Sequence, residues 1–411
     1  MKIVFCSHDG HNYFGGPYEW AKRIGREWRR RGYEVVYLFL SDHAKEKSSV
    51  YQYVLGQGFE AHHLRRHSLL QWADNTEDRA KWFFLKTKRI KPDVFVANNI
   101  LEALYACPQI EHLGIKTFGI YHTDDARHLW FRDLFVVNRL QGPSNIVYVS
   151  QLLHKKHGVG DCNFVIGCGA PLMGSRASYQ QGPFKLVYAG KITNEAKQII
   201  PNLLAFIEIV KRNPGLTLEF HIYGAGDKEK EVKRLAATWD KHIFFHGFMR
   251  LDQVQNELAK YHAFILLSDY EGLPIALMES MGVGLVPICL DIPSGIPELV
   301  DNGVNGFIVK DREVSFERAV MQLANDPALW ERMSLAAKEK ISLQYSTTAI
   351  ADQWEKAFHT GKSGTRRGRL QLPEVHPLLI GQDVRKPGIV EFLKQQYYRI
   401  ERRIKNVPKA I

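Results

Sequence analysis

The sequence predicts an α/β protein built as two facing Rossmann-like domains, with a central cleft between them and closing helices near the C-terminal end. Three observations predict it. Short β-branched and aromatic runs alternate with longer amphipathic stretches through the first third, a segment rich in Gly, Pro and Ser interrupts them, and the same alternation then restarts. Strands separated by helices belong to parallel sheets covered on both faces.

In chain order, KIVFC, EVVYLFL, DVFVANN, TFGIYH and NIVYVS read as buried strands, with helical stretches such as PYEWAKRIGREWRRRG between most of them. The segment CGAPLMGSRASYQQGP (168–183) has no apolar period and reads as a linker. KLVYAG, LTLEFHIYG, IFFHG, AFILLS and LVPICL are the strands of a second unit, and EAKQIIPNLLAFIEIVKRN and DQVQNELAKYH are two of its helices. From Glu313 to about His359 the pattern is helical throughout. The expected organisation is a first domain over residues 1–170, a second over 171–345, a closing helix over 346–360 that crosses back to the first, and a basic tail over 361–411. A ligand then belongs in the crevice at the carboxyl ends of the strands.

A chain of 411 residues, 45% hydrophobic and 24% charged, has the composition of an ordinary soluble protein of two or three domains. Its five cysteines are odd in number and form no CxxC pair, which points to a reducing compartment without a disulfide framework. Cys162 and Cys168 have no second Cys/His pair at zinc-like spacing. The start, MKIVFCSHDG, lacks the features of a signal peptide, and no stretch reaches the ~20 apolar residues of a membrane span, so a cytoplasmic location is expected. Residues 361–411 carry 12 Lys and Arg against 4 Asp and Glu, so the tail holds +8 of the net +11. A basic tail suits an anionic lipid or nucleic-acid partner, and equally a solvated end.

The stretch SDYEGLPIALMESMGVG (268–284) places Glu271 and Glu279 eight positions apart. Glu271 falls in the loop after AFILLS. Pro274 suits the first helical position, and Gly282 and Gly284 end the helix. The N–H groups after Gly272 and Leu273, through Ile275, face free at the helix start and attract an anion such as a diphosphate. Glu271 there is also favourable helix-start charge. Glu279 lies on an apolar helix, where a carboxylate needs a hydrogen-bonding partner. In LVYAGKITNEAKQI, Lys191 follows a strand and Lys197 comes early in the next helix. Two such lysines neutralise a diphosphate or simply stay solvated. Gly224 and Gly226 in HIYGAGDKE allow close backbone approach, which tight turns require as well. In the first domain, Gly15 and Gly16 precede Pro17 at a helix start. His122, ending TFGIYH, faces the crevice or is a capped, half-buried histidine.

GKITNEAKQ, HIYGAGDKE, IFFHGFM, SDYEGLPIALMESMGVG and SGIPELVDNGVNGFIV occur in that order, and over residues 185–310 they resemble the second domain of retaining GT-B glycosyltransferases of family GT4, the group 1 glycosyl transferases. The first domain resembles them more loosely, through Gly15, Gly16, RRRGYEV and His122. The resemblance implies a hexose-type transferase that uses a nucleotide-sugar donor, expected as a UDP-sugar with a GDP-sugar as the alternative, with retention and with no metal or other cofactor. The absence of any Asp-x-Asp accords with a metal-free site. It further implies that Lys191 and Lys197 bind the diphosphate, Glu271 contacts the sugar, and the backbone of Gly272, Leu273, Pro274 and Ile275 holds sugar and phosphate. Glu279 would take the ribose hydroxyls, Gly224 would allow close approach, and the backbone at Gly247 and Phe248 would flank the base. Gly15 and Gly16 would approach the diphosphate and His122 the sugar. The sequence departs from the pattern at Lys191, where arginine is usual, and at Cys168, where asparagine is.

Two features bear on the acceptor. KRIGREWRRRG sets Lys22, Arg23, Arg26, Arg29, Arg30 and Arg31 on the first helix, and KWFFLKTKRIK (81–91) adds an aromatic and basic helix. Near the C-terminus Ile389, Leu393, Tyr397, Ile400 and Ile404 recur at helical spacing among basic residues, as in a cationic amphipathic helix at a membrane surface or one packed on the body. A glycolipid, lipopolysaccharide or other cell-surface polysaccharide precursor fits an enzyme working at the inner face of the membrane. The alternatives are a DNA-modifying glycosyltransferase, with nucleic acid as acceptor, and a non-catalytic scaffold of the same fold for an anionic partner.

Overall fold

The computed structural model describes residues 1–10, 16–66, 76–122, 142–158, 162–172, 174–249 and 251–363. The predicted amphipathic helix of the tail and Gly15 lie outside the described residues.

Two parallel sheets carry the fold. The first joins β1 (Lys2–Asp9), β2 (Glu34–Ser41), β3 (Glu60–Arg65), β4 (Val94–Asn98), β5 (Lys116–Tyr121), β6 (Asn145–Tyr148) and β7 (Asn163–Val165) in the order β3-β2-β1-β4-β5-β6-β7. The second joins β8 (Phe184–Ala189), β9 (Leu218–Tyr223), β10 (Ile243–Gly247), β11 (Ala263–Leu266), β12 (Val286–Leu290) and β13 (Phe307–Val309) in the order β10-β9-β8-β11-β12-β13. Every predicted strand is present. The sheets also recruit β3, β7 and β13, which the sequence pattern does not announce. EAHHLR is half-exposed and polar at a sheet edge, and the other two have only three residues each. The central strands β4, β11 and β12 are buried at every position, as parallel strands covered on both faces must be.

The helix Gly16–Arg30 shows how the layers close. It turns Trp20, Ile24 and Trp28 inward at helical spacing, and the two indoles pack on Phe5 of β1 at 5.5 and 5.9 Å. It stops at Arg30, one residue short of the predicted basic run, because Gly32 turns the chain at φ +84°.

In both sheets the strand order reverses once, between β1 and β4 and between β8 and β11. These are the switch points, where loops diverge to opposite faces and leave a crevice. The domains touch through several fixed contacts. Ala170 and Ser346 pair in a short parallel bridge where the chain crosses twice. The carboxylate of Glu298 accepts the N–H groups of Gln151 and Leu152 at 3.0 and 3.1 Å, at the start of a first-domain helix. The helix Thr347–Thr360, capped by the Ser346 hydroxyl, lies on the first domain. There Trp354 meets Trp28 and Phe118 at 5.8 Å each, and the Lys116 ammonium donates to the carbonyls of Phe358 and His359 at 2.8 and 3.1 Å.

Candidate active site

A cleft of about 630 Å³ lies between the carboxyl ends of the two sheets, and most of the predicted residues line it. From the second domain come Lys191, Lys197, Gly224, Phe248, Glu271, Gly272, Leu273, Pro274, Ile275 and Glu279. From the first come Gly16 and His122. Gly247 is not among the lining residues. Its φ of +72° turns the chain so that Phe248, 47% exposed, borders the cleft.

The loops after β8 and β11 form the floor. The N–H of Asp269 donates to the carbonyl of Ala196 at 2.9 Å and ties them together. Lys197 belongs to this loop and not to the following helix. Gln198 takes a left-handed φ of +50°, so the helix begins only at Ile199. The Lys197 ammonium donates to Glu271 Oε1 at 2.5 Å, and Glu271 is only 8% exposed. Lys191 stands exposed on the rim. The hydroxyl of Tyr188 donates to its carbonyl at 2.8 Å, and burial, with the Glu271 charge adding to it, holds that phenol well above its ordinary pKa.

Pro274 caps the helix Ile275–Gly282 in an extended conformation and is not its first helical residue as expected. The first turn of that helix, whose leading N–H groups have no intrahelical acceptors, lines the cleft at Ile275 and Ala276 beside Glu271 and Lys197. Cations, a carboxylate and a helix start thus converge at one end of the cleft, an arrangement suited to a phosphorylated, hydroxyl-rich ligand.

The glycines owe their places to packing. A Cβ on Gly224, whose φ is +146°, would lie 1.8 Å from the carbonyl oxygen of Gly190, and one on Gly226 would lie 2.2 Å from that of Ile192. Loop-on-loop contact therefore demands both, and close approach to a ligand is not needed to explain them. A Cβ on Gly16 would meet Ile275 Cδ1 at 2.7 Å, so this glycine lets the two domains approach each other.

His122 is buried at the end of β5. Its Nε2 donates to Asn98 Oδ1 at 2.5 Å, and its Nδ1 lies 3.8 Å from the Cys168 sulfur. Burial pushes the Cys168 thiol up to about 12, which keeps it a neutral donor toward that nitrogen. Trp20 packs edge-on against the imidazole at 5.8 Å. The ring's orientation is set by Asn98, which follows from the β4 switch point and which sequence reasoning missed.

Arg23 was expected on a basic helix surface that bears on the acceptor. It is instead buried, and its Nη2 donates to Glu279 Oε1 across the domain boundary. Lys22 pairs with Glu19 at 2.6 Å, Arg31 with Glu27 at 2.9 Å and Asp352 at 2.7 Å, and Arg29 lies over the Phe59 ring at 3.9 Å. Much of that basic run is therefore neutralised or structural. Helical phase was the available signal, since Arg23 shares its helix face with the inward-facing Trp20.

Residues 183–326, within the second domain, match the family model Glycosyl transferases group 1. The two facing parallel sheets are those of the GT-B glycosyltransferase fold. Among particular proteins, the chain is 29% identical over 188 residues to the UDP-N-acetylglucosamine–peptide N-acetylglucosaminyltransferase GtfA subunit of Streptococcus pneumoniae, covering 44% of this chain and 36% of that one. It is 22% identical over 271 residues to the lipopolysaccharide 1,6-galactosyltransferase of Escherichia coli, covering 61% and 69%. The crystal structure of Anabaena HepE in complex with UDP superposes with a TM-score of 0.71 at 16% identity, covering 88% of this chain and all of that one.

Proposed function

We propose that the protein is a retaining, metal-independent glycosyltransferase that moves a hexose-type sugar from a UDP-sugar to a hydroxyl of a glycolipid, lipopolysaccharide or other cell-surface polysaccharide precursor. One observation carries the reading. Lys191, Lys197, Glu271, Glu279 and the start of the helix Ile275–Gly282 meet in one cleft, opposite His122 and Gly16 of the other domain. The group 1 glycosyl transferases match of the second domain supports it. The Escherichia coli relative, a lipopolysaccharide galactosyltransferase, and the UDP bound by the Anabaena protein favour the acceptor class and the nucleotide.

In this reading the bond between the anomeric carbon and the diphosphate oxygen breaks, a bond to the acceptor oxygen forms, and the acceptor hydroxyl's proton passes to the departing phosphate oxygen. The diphosphate leaves with negative charge. Lys197 and the N–H groups of the first helical turn meet that charge inside the cleft and Lys191 meets it from the rim, so a metal ion is not required to hold it. Glu271 is held by Lys197, which leaves its second oxygen to accept sugar hydroxyls. His122, oriented by Asn98, lines the first-domain side of the cleft and would border the sugar there. Glu279 accepts the ribose hydroxyls, and the aromatic end of the cleft at Tyr223 and Phe248 takes the base. Acceptor binding belongs to the first domain.

The reading is tested by thermal stabilisation with a panel of UDP- and GDP-sugars, followed by a product assay with the best donor. Stabilisation by a UDP-sugar and formation of a product of retained anomeric configuration support it. No stabilisation by any nucleotide sugar overturns it.

Among the described residues no helix is long and apolar enough to cross a membrane. The basic tail, with +8 of the net charge, is the proposed contact with an anionic membrane surface.

A further inference from the structure

The contact between Arg23 and Glu279 joins residues 256 positions apart, from opposite domains. Both side chains are 5% exposed. A buried carboxylate without a partner is driven to take up a proton, and a guanidinium beside it prevents that. Glu279 borders the cleft, while Arg23 stands behind it on the helix Gly16–Arg30. The two helices that carry the pair are also brought together where Gly16 meets Ile275. Arg23 Nη1 is buried and has no acceptor among the described residues, so the guanidinium commits its remaining buried capacity to no other protein group there.

We infer that Arg23 is a positioning residue for the nucleotide. It keeps Glu279 ionised and aimed, and it does so only when the two domains are closed on each other. The inference rests on the proposed donor site and adds to it a residue from the opposite domain. An ionised carboxylate can only accept, and the two ribose hydroxyls donate to it in charge-assisted hydrogen bonds. A protonated Glu279 would give up one of those acceptors. Arg23 thereby couples the strength of the ribose contact to domain closure without touching the nucleotide.

The test compares affinity for UDP with affinity for inorganic pyrophosphate, by calorimetry, in the full chain and in Arg23→Met, Glu279→Gln and the double variant. Pyrophosphate reports the diphosphate end alone. Arg23→Met is expected to weaken UDP about tenfold and to leave pyrophosphate within about twofold. Its UDP loss, taken relative to wild type at each pH, should shrink as pH rises, because Glu279 regains its charge. The double variant should lose no more than Glu279→Gln alone, since Arg23 acts through that carboxylate. Wild-type affinity for UDP in Arg23→Met, equal losses for both ligands, or losses that multiply in the double variant overturn the inference while leaving the donor site standing. Wild-type protein that binds neither UDP nor GDP overturns both. If Arg23→Met does not fold cooperatively, Arg23→Lys carries the same reading, with retention of charge expected to keep the UDP affinity independent of pH relative to wild type.

Discussion

Glu271 and Lys197 meet at 2.5 Å in the loops that follow β11 and β8. Glu271→Ala should therefore keep the fold and lose turnover. We expect kcat to fall by about 10²–10³, the cost of removing one group that addresses developing charge, with a thermal midpoint close to wild type. Activity equal to wild type would sink the assignment of this residue. His262 gives a prediction about pH. It is 1% exposed, stacks on Phe184 at 4.9 Å, and its Nδ1 accepts the Lys185 N–H at 2.8 Å. Burial, with the Lys185 charge adding to it, lowers its pKa to about 4. The unfolded chain takes up the proton first, near 6.5, so stability is complete above that pH and is lost as pH falls toward about 4. The full effect is about 3 kcal/mol. Urea midpoints at neutral and acid pH measure it, and His262→Phe should flatten that part of the profile. At this scale the positions of Lys191, Gly224 and Glu271 on the cleft were legible because they lie in short loops after strands. Arg23 was not, because a basic run on a helix does not say which member faces inward.

The elements that matter most for function are the loops after β8, β9 and β11. Gly224 sits in the second of these with a left-handed backbone and no room for a side chain against Gly190. Gly224→Ala should destabilise the second domain by about 1–3 kcal/mol, through strain and displacement of the β8 loop. A drop in urea midpoint together with weaker nucleotide binding is expected, and an unchanged midpoint would contradict the packing account. The helix Thr347–Thr360 is the other critical element. Trp354 is fully buried among Trp20, Trp28 and Phe118, so Trp354→Ala should cost about 3–5 kcal/mol by the large-to-small rule, read from denaturant unfolding of the whole chain. The strands and this helix were legible from apolar period. The edge strands β3, β7 and β13 were not, since a short or half-exposed strand has too few buried positions to show an alternation.

Across the whole molecule, the two domains form one cleft because fixed contacts join them: Arg23 with Glu279, Glu298 with Gln151 and Leu152, Gly16 against Ile275, and the returning helix. Deleting residues 361–411 should weaken binding to anionic liposomes while sparing donor hydrolysis, because the described residues that line the cleft all precede the tail. Liposome sedimentation checks it, and unchanged binding would remove the membrane role. By itself the sequence determined two α/β units, their closing helices, the loops that carry Lys191 and Glu271, and the helix that carries Glu279. Those features follow from local periodicity and turn chemistry, which act over a few residues. Only the tertiary structure decided the strand order, the orientation of His122 by Asn98, the reason for each glycine, and the union of Arg23 with Glu279. Contacts between distant positions depend on how layers pack in space, and no local pattern of residues records them.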